Sequence, residues 1–262
     1  MNKKIVAMIP AHLASVRFPK KVLFEIHGLP MIEHVRRRAI LSGAFSDVIV
    51  ATCDREIQSL IEGFGGKVIV TSSTHKNGTT RVAEAIEKVD CTHVVLLQAD
   101  EPLLLPEDLI LFVDKVKEDN TDTVTWNATG PIEHIEELDR HSFVKCFVNS
   151  NGRIQFCFRR SPCYGKFEDT KTMIRKILGI IAYEKNFLLK LSKMKSSNFE
   201  TFEFIEQMRI IENEYKLMSV PFDHTLPSIN EPGEVEEVLE KLKISEIQYK
   251  YLNQVLNSIN FS

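Results

Sequence analysis

Residues 5–21 read IVAMIPAHLASVRFPKK, an apolar run followed by a loop of small residues and then by three cations, Arg17, Lys20 and Lys21. The apolar run, Ile5 to Ile9, is typical of a strand covered on both faces, as in a parallel sheet. Three later runs are similarly rich in apolar, β-branched residues: Asp47 to Thr52, Lys67 to Thr71 and His93 to Leu97. The sequence therefore predicts four parallel strands.

Segments with helical spacing separate these strands. Pro30 to Ser42, Asp54 to Gly63 and Thr79 to Val89 each repeat apolar residues at a period near that of a helix. Alternation of strand and helix predicts right-handed crossovers and a nucleotide crevice at the carboxyl ends of the strands. The predicted class is α/β.

The pattern changes after Thr125. An antiparallel hairpin is predicted from two apolar runs around the turn at Asn149–Gly152. The strands of this hairpin are Phe143–Asn149 and Ile154–Phe158. The later predicted elements are a strand Ile177–Tyr183, a helix Phe199–Ile211, a strand Tyr215–Val220, and two helices, one from Pro232 and one over Ile247–Ile259. We divide the chain into a nucleotide-binding half, residues 1–125, and a smaller mixed lobe, residues 126–262, joined as one continuous unit.

Composition and charge exclude several functions. The 262 residues include 33 Lys and Arg against 36 Asp and Glu, a net charge of −3 that disfavours sequence-independent nucleic-acid binding. No apolar window is long enough to span a membrane. Five cysteines without CxxC spacing indicate reduced thiols and a cytoplasmic location. The run Arg36 to Arg38 on the first predicted helix is interpreted as a solvated face.

The loop after the first strand lies where α/β sheets bind phosphates. It is neither GxGxxG nor GxxxxGK[ST], which disfavours a dinucleotide dehydrogenase and a P-loop NTPase. Arg17, Lys20 and Lys21 suit a triphosphate, because cations stabilise the charge that develops on a leaving pyrophosphate. A solvated basic loop remains the alternative.

Two further strings follow later strands. Gln98-Ala99-Asp100-Glu101-Pro102 comes directly after the fourth strand, where the carboxylate of Asp100 could hold Mg²⁺ against phosphate oxygens. The alternative is an acidic helix-capping turn. In Lys76–Arg81, Gly78 permits close backbone approach, Thr79 is the predicted helix cap, and Arg81 is expected to face the crevice. An ordinary cap is the alternative here.

Taken together, these strings resemble those of the 3-deoxy-manno-octulosonate (Kdo) cytidylyltransferases, which make a CMP-sugar acid. That family carries IPARxxSxRxPxKxL, GxPMIxxV, GTxRxAE and QGDEP. Here residues 9–23 read IPAHLASVRFPKKVL, 28–35 GLPMIEHV, 78–84 GTTRVAE and 98–102 QADEP. Arg160-Ser161-Pro162, Gly179–Tyr183 and Glu206–Arg209 resemble the family's SRSPIP, HIGIYAY and EQLR segments. The resemblance runs in order over residues 4–240 and ends before the segment after Ile244.

The resemblance implies a Rossmann-like, mostly parallel sheet with a smaller mixed α/β lobe, as in nucleotide-diphospho-sugar transferases. The lobe would hold the sugar acid and form a homodimer. The CTP-binding residues implied are Ala11, His12, Ser15, Arg17, Lys21, Gly78, Arg81 and Gln98. Lys21, Arg17 and Asp100 would carry catalysis, and Asp100 and Asn230 would hold Mg²⁺. The sugar-acid residues would be Arg160, Tyr183, Glu206 and Gln207, with Arg160 on the carboxylate.

The implied reaction is attack of the anomeric hydroxyl of Kdo on the α-phosphate of CTP, with loss of pyrophosphate, for lipopolysaccharide biosynthesis. No covalent intermediate is needed, so catalysis is positioning plus charge stabilisation.

Four positions depart from the family pattern. His12 stands in place of an arginine, Ala99 of a glycine, Ile177 of a histidine, and Asn230 of an aspartate that binds metal. A neutral amide at Asn230 can still offer an oxygen to Mg²⁺ but carries no charge. These departures leave two alternatives open: a cytidylyltransferase for another sugar acid or a small phosphorylated acid, and a catalytically idle nucleotide-binding relative.

Overall fold

The computed structural model describes residues 3–162, 165–170 and 172–257, and the chain begins with the predicted alternation of strands and helices. The first strands are β1 (Ile5–Ala11), β2 (Glu25–Ile26), β3 (Leu29–Pro30), β4 (Val48–Thr52), β5 (Lys67–Val70) and β6 (His93–Leu97). Between and after them lie the helices α1 (Met31–Ser42), α2 (Arg55–Gly63), α3 (Gly78–Ile86) and α4 (Pro106–Glu118). All four predicted strands are confirmed; α4 was not predicted.

The four long strands form a parallel sheet in the order β6-β1-β4-β5. Every residue of β1, β4 and β6 is buried, as the continuous apolar runs predict. Because β1 and β6 are parallel neighbours, the loops that follow them emerge at the same edge of the sheet. The α/β class is therefore confirmed.

The segment from Lys115 to Thr225 forms a second compact unit. Its elements are β7 (Thr125–Gly130), β8 (Lys145–Val148), β9 (Ile154–Phe158), α5 (Phe167–Thr170), β10 (Ile174–Glu184), α6 (Lys185–Leu191), α7 (Asn198–Glu203), α8 (Gln207–Glu212) and β11 (Leu217–Pro221). The predicted hairpin is confirmed as β8 and β9, and β7 pairs with antiparallel β10 and parallel β11. The predicted single helix Phe199–Ile211 is wrong, because Phe204 adopts a left-handed φ of 55° and separates α7 from α8.

The C-terminal segment returns to the first unit. After a 3₁₀ turn at Pro232–Glu234 come α9 (Val235–Ile244) and α10 (Glu246–Asn257). Ile229, Val238, Leu242 and Leu252 share a core cluster with Ile26 and Met31. The first compact unit therefore combines the residues up to Asp114 with those from Leu226 onward, and the second is Lys115–Thr225. This division differs from the predicted one, which placed a single boundary at residue 125. Ile259, the predicted end of the last helix, lies outside the described residues.

The arginine run on α1 is buried rather than solvated. Arg36, Arg37 and Arg38 are only 1%, 9% and 0% exposed. Glu33, also fully buried, accepts from Arg36 Nε at 2.5 Å and from Arg37 Nε at 3.3 Å. Arg37 also donates to the carbonyl of Val255 in α10 at 2.7 Å. The predicted solvated face is wrong because α10 covers Arg37 and Arg38, and the segment after α2 covers Arg36. Glu33 supplies the opposite charge to Arg36 and Arg37.

Within residues 3–162, 165–170 and 172–257, no helix has the length and apolar character needed to cross a membrane.

Candidate active site

A cavity of about 400 Å³ lies in the first unit, at the carboxyl ends of β1 and β6. Its lining contains every residue that the family resemblance implied for CTP or metal, namely Ala11, His12, Ser15, Arg17, Lys21, Gly78, Arg81, Gln98, Asp100 and Asn230. Ala11 ends β1, and Gly78 and Arg81 lie in the first turn of α3. The others come from the segments after β1 and β6, except Asn230, which comes from the returning C-terminal segment. One crevice therefore collects residues separated by more than two hundred positions in the chain.

The loop after β1 is held in a closed turn. The backbone N–H of Leu13 donates to Asp54 Oδ2 at 2.9 Å, and the N–H of Lys20 donates to the carbonyl of Leu13 at 3.2 Å. Asp54 was not among the predicted site residues. Its position directly after β4, at the same sheet edge, is the signal that could have identified it.

Two of the three predicted cations of this loop line the cavity, and one does not. Arg17 and Lys21 line it, whereas Lys20 pairs with Glu56 on α2 at 2.7 Å, with both side chains more than half exposed. Arg17 Nη1 lies 3.2 Å from Glu231 Oε1. The prediction that Lys20 belongs to the phosphate site is not supported by this placement.

Lys21 is the centre of an oxygen cluster. Its Nζ lies 2.5 Å from Asp100 Oδ2, 3.3 Å from the carbonyl of Ile229 and 3.5 Å from Asn230 Oδ1. The Lys21 and Asp100 side chains are only 15% and 20% exposed. The backbone N–H of Ile229 donates to the carbonyl of Asp100 at 2.9 Å, which ties the C-terminal segment to the loop after β6.

The oxygen donors of this cluster are those that Mg²⁺ prefers: a carboxylate, an amide oxygen and a backbone carbonyl. The described part of the chain contains no group of three or more His, Cys, Asp or Glu side chains placed to hold a metal ion. A cation here would therefore take most of its ligands from phosphate oxygens and water, which is the usual arrangement for Mg²⁺ at nucleotide sites. The donor set fits such an ion.

The third predicted string forms the start of α3, with a different cap from the one expected. Asn77, not Thr79, is the N-cap, because its Oδ1 accepts from the backbone N–H of Thr80 at 2.9 Å. Arg81 lies in the first turn and lines the cavity, as predicted. It is 3% exposed and donates to Thr71 Oγ1 at 2.7 Å.

The pKa of His12 lies below the ordinary value of a histidine, which favours the neutral imidazole at pH 7. Partial burial lowers its pKa, the positive charges of Arg81 and Lys21 lower the pKa further, and Asp54 opposes them. The imidazole can therefore offer a hydrogen bond to a phosphate without adding a cation.

The four predicted sugar-acid residues all belong to the second unit. Arg160 follows β9 and is exposed, and Tyr183 lies in β10 with 2% exposure. Glu206 and Gln207 begin α8 and are half-buried. Gln207 Nε2 donates to Asn127 Oδ1 in β7 at 3.1 Å. Asn127 was not predicted, since β7 itself was missed.

Comparison with known proteins identifies relatives of the same length. A family model for cytidylyltransferases matches residues 6–218. The 3-deoxy-manno-octulosonate cytidylyltransferase of Geotalea uraniireducens is 34% identical over 251 residues, covering 92% of this chain and 99% of that protein. The corresponding protein of Leptospira interrogans is 34% identical over 244 residues, covering 93% and 97%.

A solved structure has the same fold. The structure of CMP:2-keto-3-deoxy-manno-octonic acid synthetase complexed with CTP superimposes with a TM-score of 0.86 at 30% identity, covering 92% of this chain and 98% of that one.

A parallel α/β sheet with a cation-lined cavity at its carboxyl edge, matched by a family model over most of the chain, defines a cytidylyltransferase. Within that class, the relatives narrow the assignment. The chain belongs to the family of 3-deoxy-manno-octulosonate cytidylyltransferases.

Proposed function

We propose that this protein transfers CMP from CTP to the anomeric hydroxyl of Kdo, releasing pyrophosphate, and that it serves lipopolysaccharide biosynthesis. The observation that carries the proposal is the single cavity that unites Arg17, Lys21, Arg81 and Asp100 in a chain of this family. The acceptor is the one named for the relatives, and the donor nucleotide is the one named for the solved neighbour.

In this proposal, the cavity binds the triphosphate of CTP through three cations from two segments of the chain. Arg17 and Lys21 come from the loop after β1, and Arg81 comes from the first turn of α3. They stabilise the negative charge that passes to the leaving pyrophosphate, while the cavity holds the α-phosphate in line with the attacking hydroxyl. Ala11, Ser15, Gly78 and Gln98 complete the nucleotide site, and His12 contributes as a neutral hydrogen-bonding group.

We further propose Mg²⁺ as the cofactor, held by Asp100 and by the amide oxygen of Asn230. A bound Mg²⁺ would neutralise phosphate charge and orient the triphosphate. The ammonium group of Lys21 donates a hydrogen bond to the carboxylate of Asp100. Binding of a divalent ion by Asp100 therefore requires this ammonium group to move away. Released from Asp100, Lys21 becomes available to a phosphate oxygen.

For the acceptor, we assign Arg160, Tyr183, Glu206 and Gln207 of the second unit. The exposed guanidinium of Arg160 suits the carboxylate of a sugar acid, because arginine binds carboxylates with two parallel hydrogen bonds. The buried position of Tyr183 favours a supporting role beneath the acceptor.

We also propose a homodimer located in the cytoplasm. Phe202 and Phe204 are 78% and 81% exposed, which is costly for two neighbouring aromatic side chains unless a partner covers them. Cys146 and Cys157 lie opposite each other on β8 and β9 as thiols, in keeping with a reducing compartment. Sedimentation of the wild-type protein and of Phe202→Ser tests the dimer: the variant should sediment as a monomer.

The decisive experiment measures pyrophosphate release from CTP and Mg²⁺ with Kdo and with a panel of other sugar acids and phosphorylated acids. We expect release with Kdo, and a fall in kcat of about 100-fold in Lys21→Met. Lys20→Met is the matched control, because the ammonium group of Lys20 pairs with Glu56 outside the cavity. This variant should keep the wild-type kcat. Release with another acid only would identify a different acceptor, and CTP binding without turnover would identify an idle relative.

Metal binding has its own test, independent of turnover. Mn²⁺ titrated in the presence of CTP and followed by electron paramagnetic resonance should bind the wild-type protein and bind Asp100→Ala at least about tenfold more weakly. Equal affinity in the two proteins would contradict the assignment of Asp100.

A further inference from the structure

Strand β7 presents buried polar side chains at alternate positions. Thr125, Asn127 and Thr129 are each 0% exposed and lie on one face of the strand. Two of them are satisfied locally: Thr125 Oγ1 donates to the carbonyl of Ala182 at 2.9 Å, and Thr129 Oγ1 lies 2.7 Å from Ser219 Oγ. Asn127 differs, because an amide has more hydrogen-bonding groups to satisfy than a hydroxyl has.

Asn127 lies opposite an irregularity in β10. Ile177 pairs with Thr129 and Ile181 pairs with Asn127, so residues 178–180 of β10 face the single residue Ala128. A bulge of this kind interrupts the ladder and leaves backbone groups without strand partners. Asn127 Nδ2 donates to the carbonyls of Leu178 at 2.9 Å and Ile180 at 3.2 Å, and thereby closes the bulge.

These two carbonyls fix the orientation of the Asn127 amide. Only its NH₂ group can donate to them, so Oδ1 must point the other way. There it accepts the hydrogen bond from Gln207 Nε2 at 3.1 Å. This hydrogen bond in turn orients Gln207: one N–H of its Nε2 is directed at Asn127, so its Oε1 lies on the opposite side of the amide group.

We propose that Asn127 is a positioning residue of the acceptor site, which sets Gln207 to present Oε1 as a hydrogen-bond acceptor. The consequence is a specificity rule: the acceptor must offer Gln207 a neutral donor, which in a sugar acid is a hydroxyl. A carboxylate or phosphate oxygen at that position would meet another acceptor. The inference rests on the proposed function only in taking Gln207 to contact the acceptor.

The test is a double-mutant cycle between Asn127→Leu and Gln207→Met, with KM for Kdo and for CTP measured separately. Each single variant should raise KM for Kdo about tenfold, the effect of one lost hydrogen bond, while KM for CTP stays at the wild-type value. The KM of the double variant for Kdo should not exceed the larger of the two single-variant values, because Asn127 acts through Gln207. Thr125→Val is the matched control from the same buried face of β7 and should keep the wild-type KM for Kdo.

Additive effects in the cycle, or an unchanged KM for Kdo in Asn127→Leu, would overturn the proposal. Should Asn127→Leu not fold, Kdo analogues with single hydroxyls replaced by fluorine, which cannot donate, decide the matter on the wild-type enzyme. Replacement of one particular hydroxyl by fluorine should raise KM about tenfold in the wild-type enzyme, and the same replacement should leave KM unchanged in Gln207→Met. If no position does so, the rule is wrong.

The orientation itself can be measured without any substrate, which separates this inference from the proposed function. In ¹⁵N-labelled wild-type protein, the side-chain NH₂ of Gln207, assigned by its loss in Gln207→Met, should exchange slowly with solvent. In Asn127→Ser, which is too short to reach Gln207, it should exchange at the rate of an exposed glutamine. Fast exchange in the wild-type protein overturns the proposal, whether or not Kdo proves to be the acceptor.

Discussion

Replacing Glu33 by alanine should destabilise the first unit severely. The carboxylate is fully buried and accepts from both Arg36 and Arg37, and Arg36 is itself only 1% exposed. Truncation removes the opposite charge and leaves a guanidinium group inside the protein. Breaking a buried pair in this way costs about 3–5 kcal/mol, because the remaining charge is neither solvated nor neutralised. For a protein of this size, Tm should fall by roughly 6–20 °C.

The measurement is urea unfolding followed by circular dichroism, with Glu118→Ala as the matched control. Glu118 pairs with Lys115 at the same i,i+3 spacing, but the two side chains are 67% and 56% exposed. Removal of that surface pair should cost less than about 0.5 kcal/mol. The double variant Glu33→Leu with Arg36→Met should recover part of the loss, because an apolar pair needs no charge compensation.

Equal stability of Glu33→Ala and Glu118→Ala would refute this reasoning. It would mean that water reaches the guanidinium of Arg36, and that the buried arginine run is not held by Glu33.

Three other variants test the nucleotide site and the core of the first unit. Gly78→Ala should raise KM for CTP several-fold, because the new methyl would lie 2.9 Å from Pro10 Cγ and displace the cavity wall. His12→Arg should lower the Kd for CTP, since it adds a permanent cation where the lowered pKa of His12 disfavours a charged ring, and isothermal titration with CTP measures this Kd. His34→Gln should reduce the acid sensitivity of folding, measured from urea midpoints at pH 7 and pH 5. Burial lowers the pKa of His34 to about 4, so His34 takes up a proton at a higher pH in the unfolded chain than in the folded protein. The free energy of unfolding of the wild-type protein therefore falls as pH drops from about 6.5 to 4, and at pH 5 this loss is about 2 kcal/mol.

The nucleotide-binding part of the fold was predictable because its strands are buried on both faces and therefore appear as continuous apolar runs. The cavity residues were predictable because they follow those strands, at the sheet edge where loops converge. Asn230 was reached only through the family resemblance, since no local pattern reveals that a segment two hundred residues later returns to the same edge.

The features that were missed depend on contacts that the local sequence does not encode. Strand β7 is buried on both faces, yet one face carries Thr125, Asn127 and Thr129, so the strand lacks the continuous apolar run that identified the other buried strands. Contacts with neighbours in the second unit satisfy these polar side chains. The arginine run was misread because three consecutive charges ordinarily indicate a surface. Glu33, three and four residues before Arg36 and Arg37, was the available signal.

The return of the chain to its first unit has a consequence for biosynthesis. Ile229, Val238, Leu242 and Leu252 complete a core that also contains Ile26 and Met31, which leave the ribosome some two hundred residues earlier. During translation, at about 5–20 residues per second, that apolar surface waits uncovered for on the order of ten seconds or more. The second unit is continuous in sequence and can finish packing first. In this protein, the half that is made first is therefore the half that matures last, and early chaperone contacts are expected at its N-terminal apolar surface.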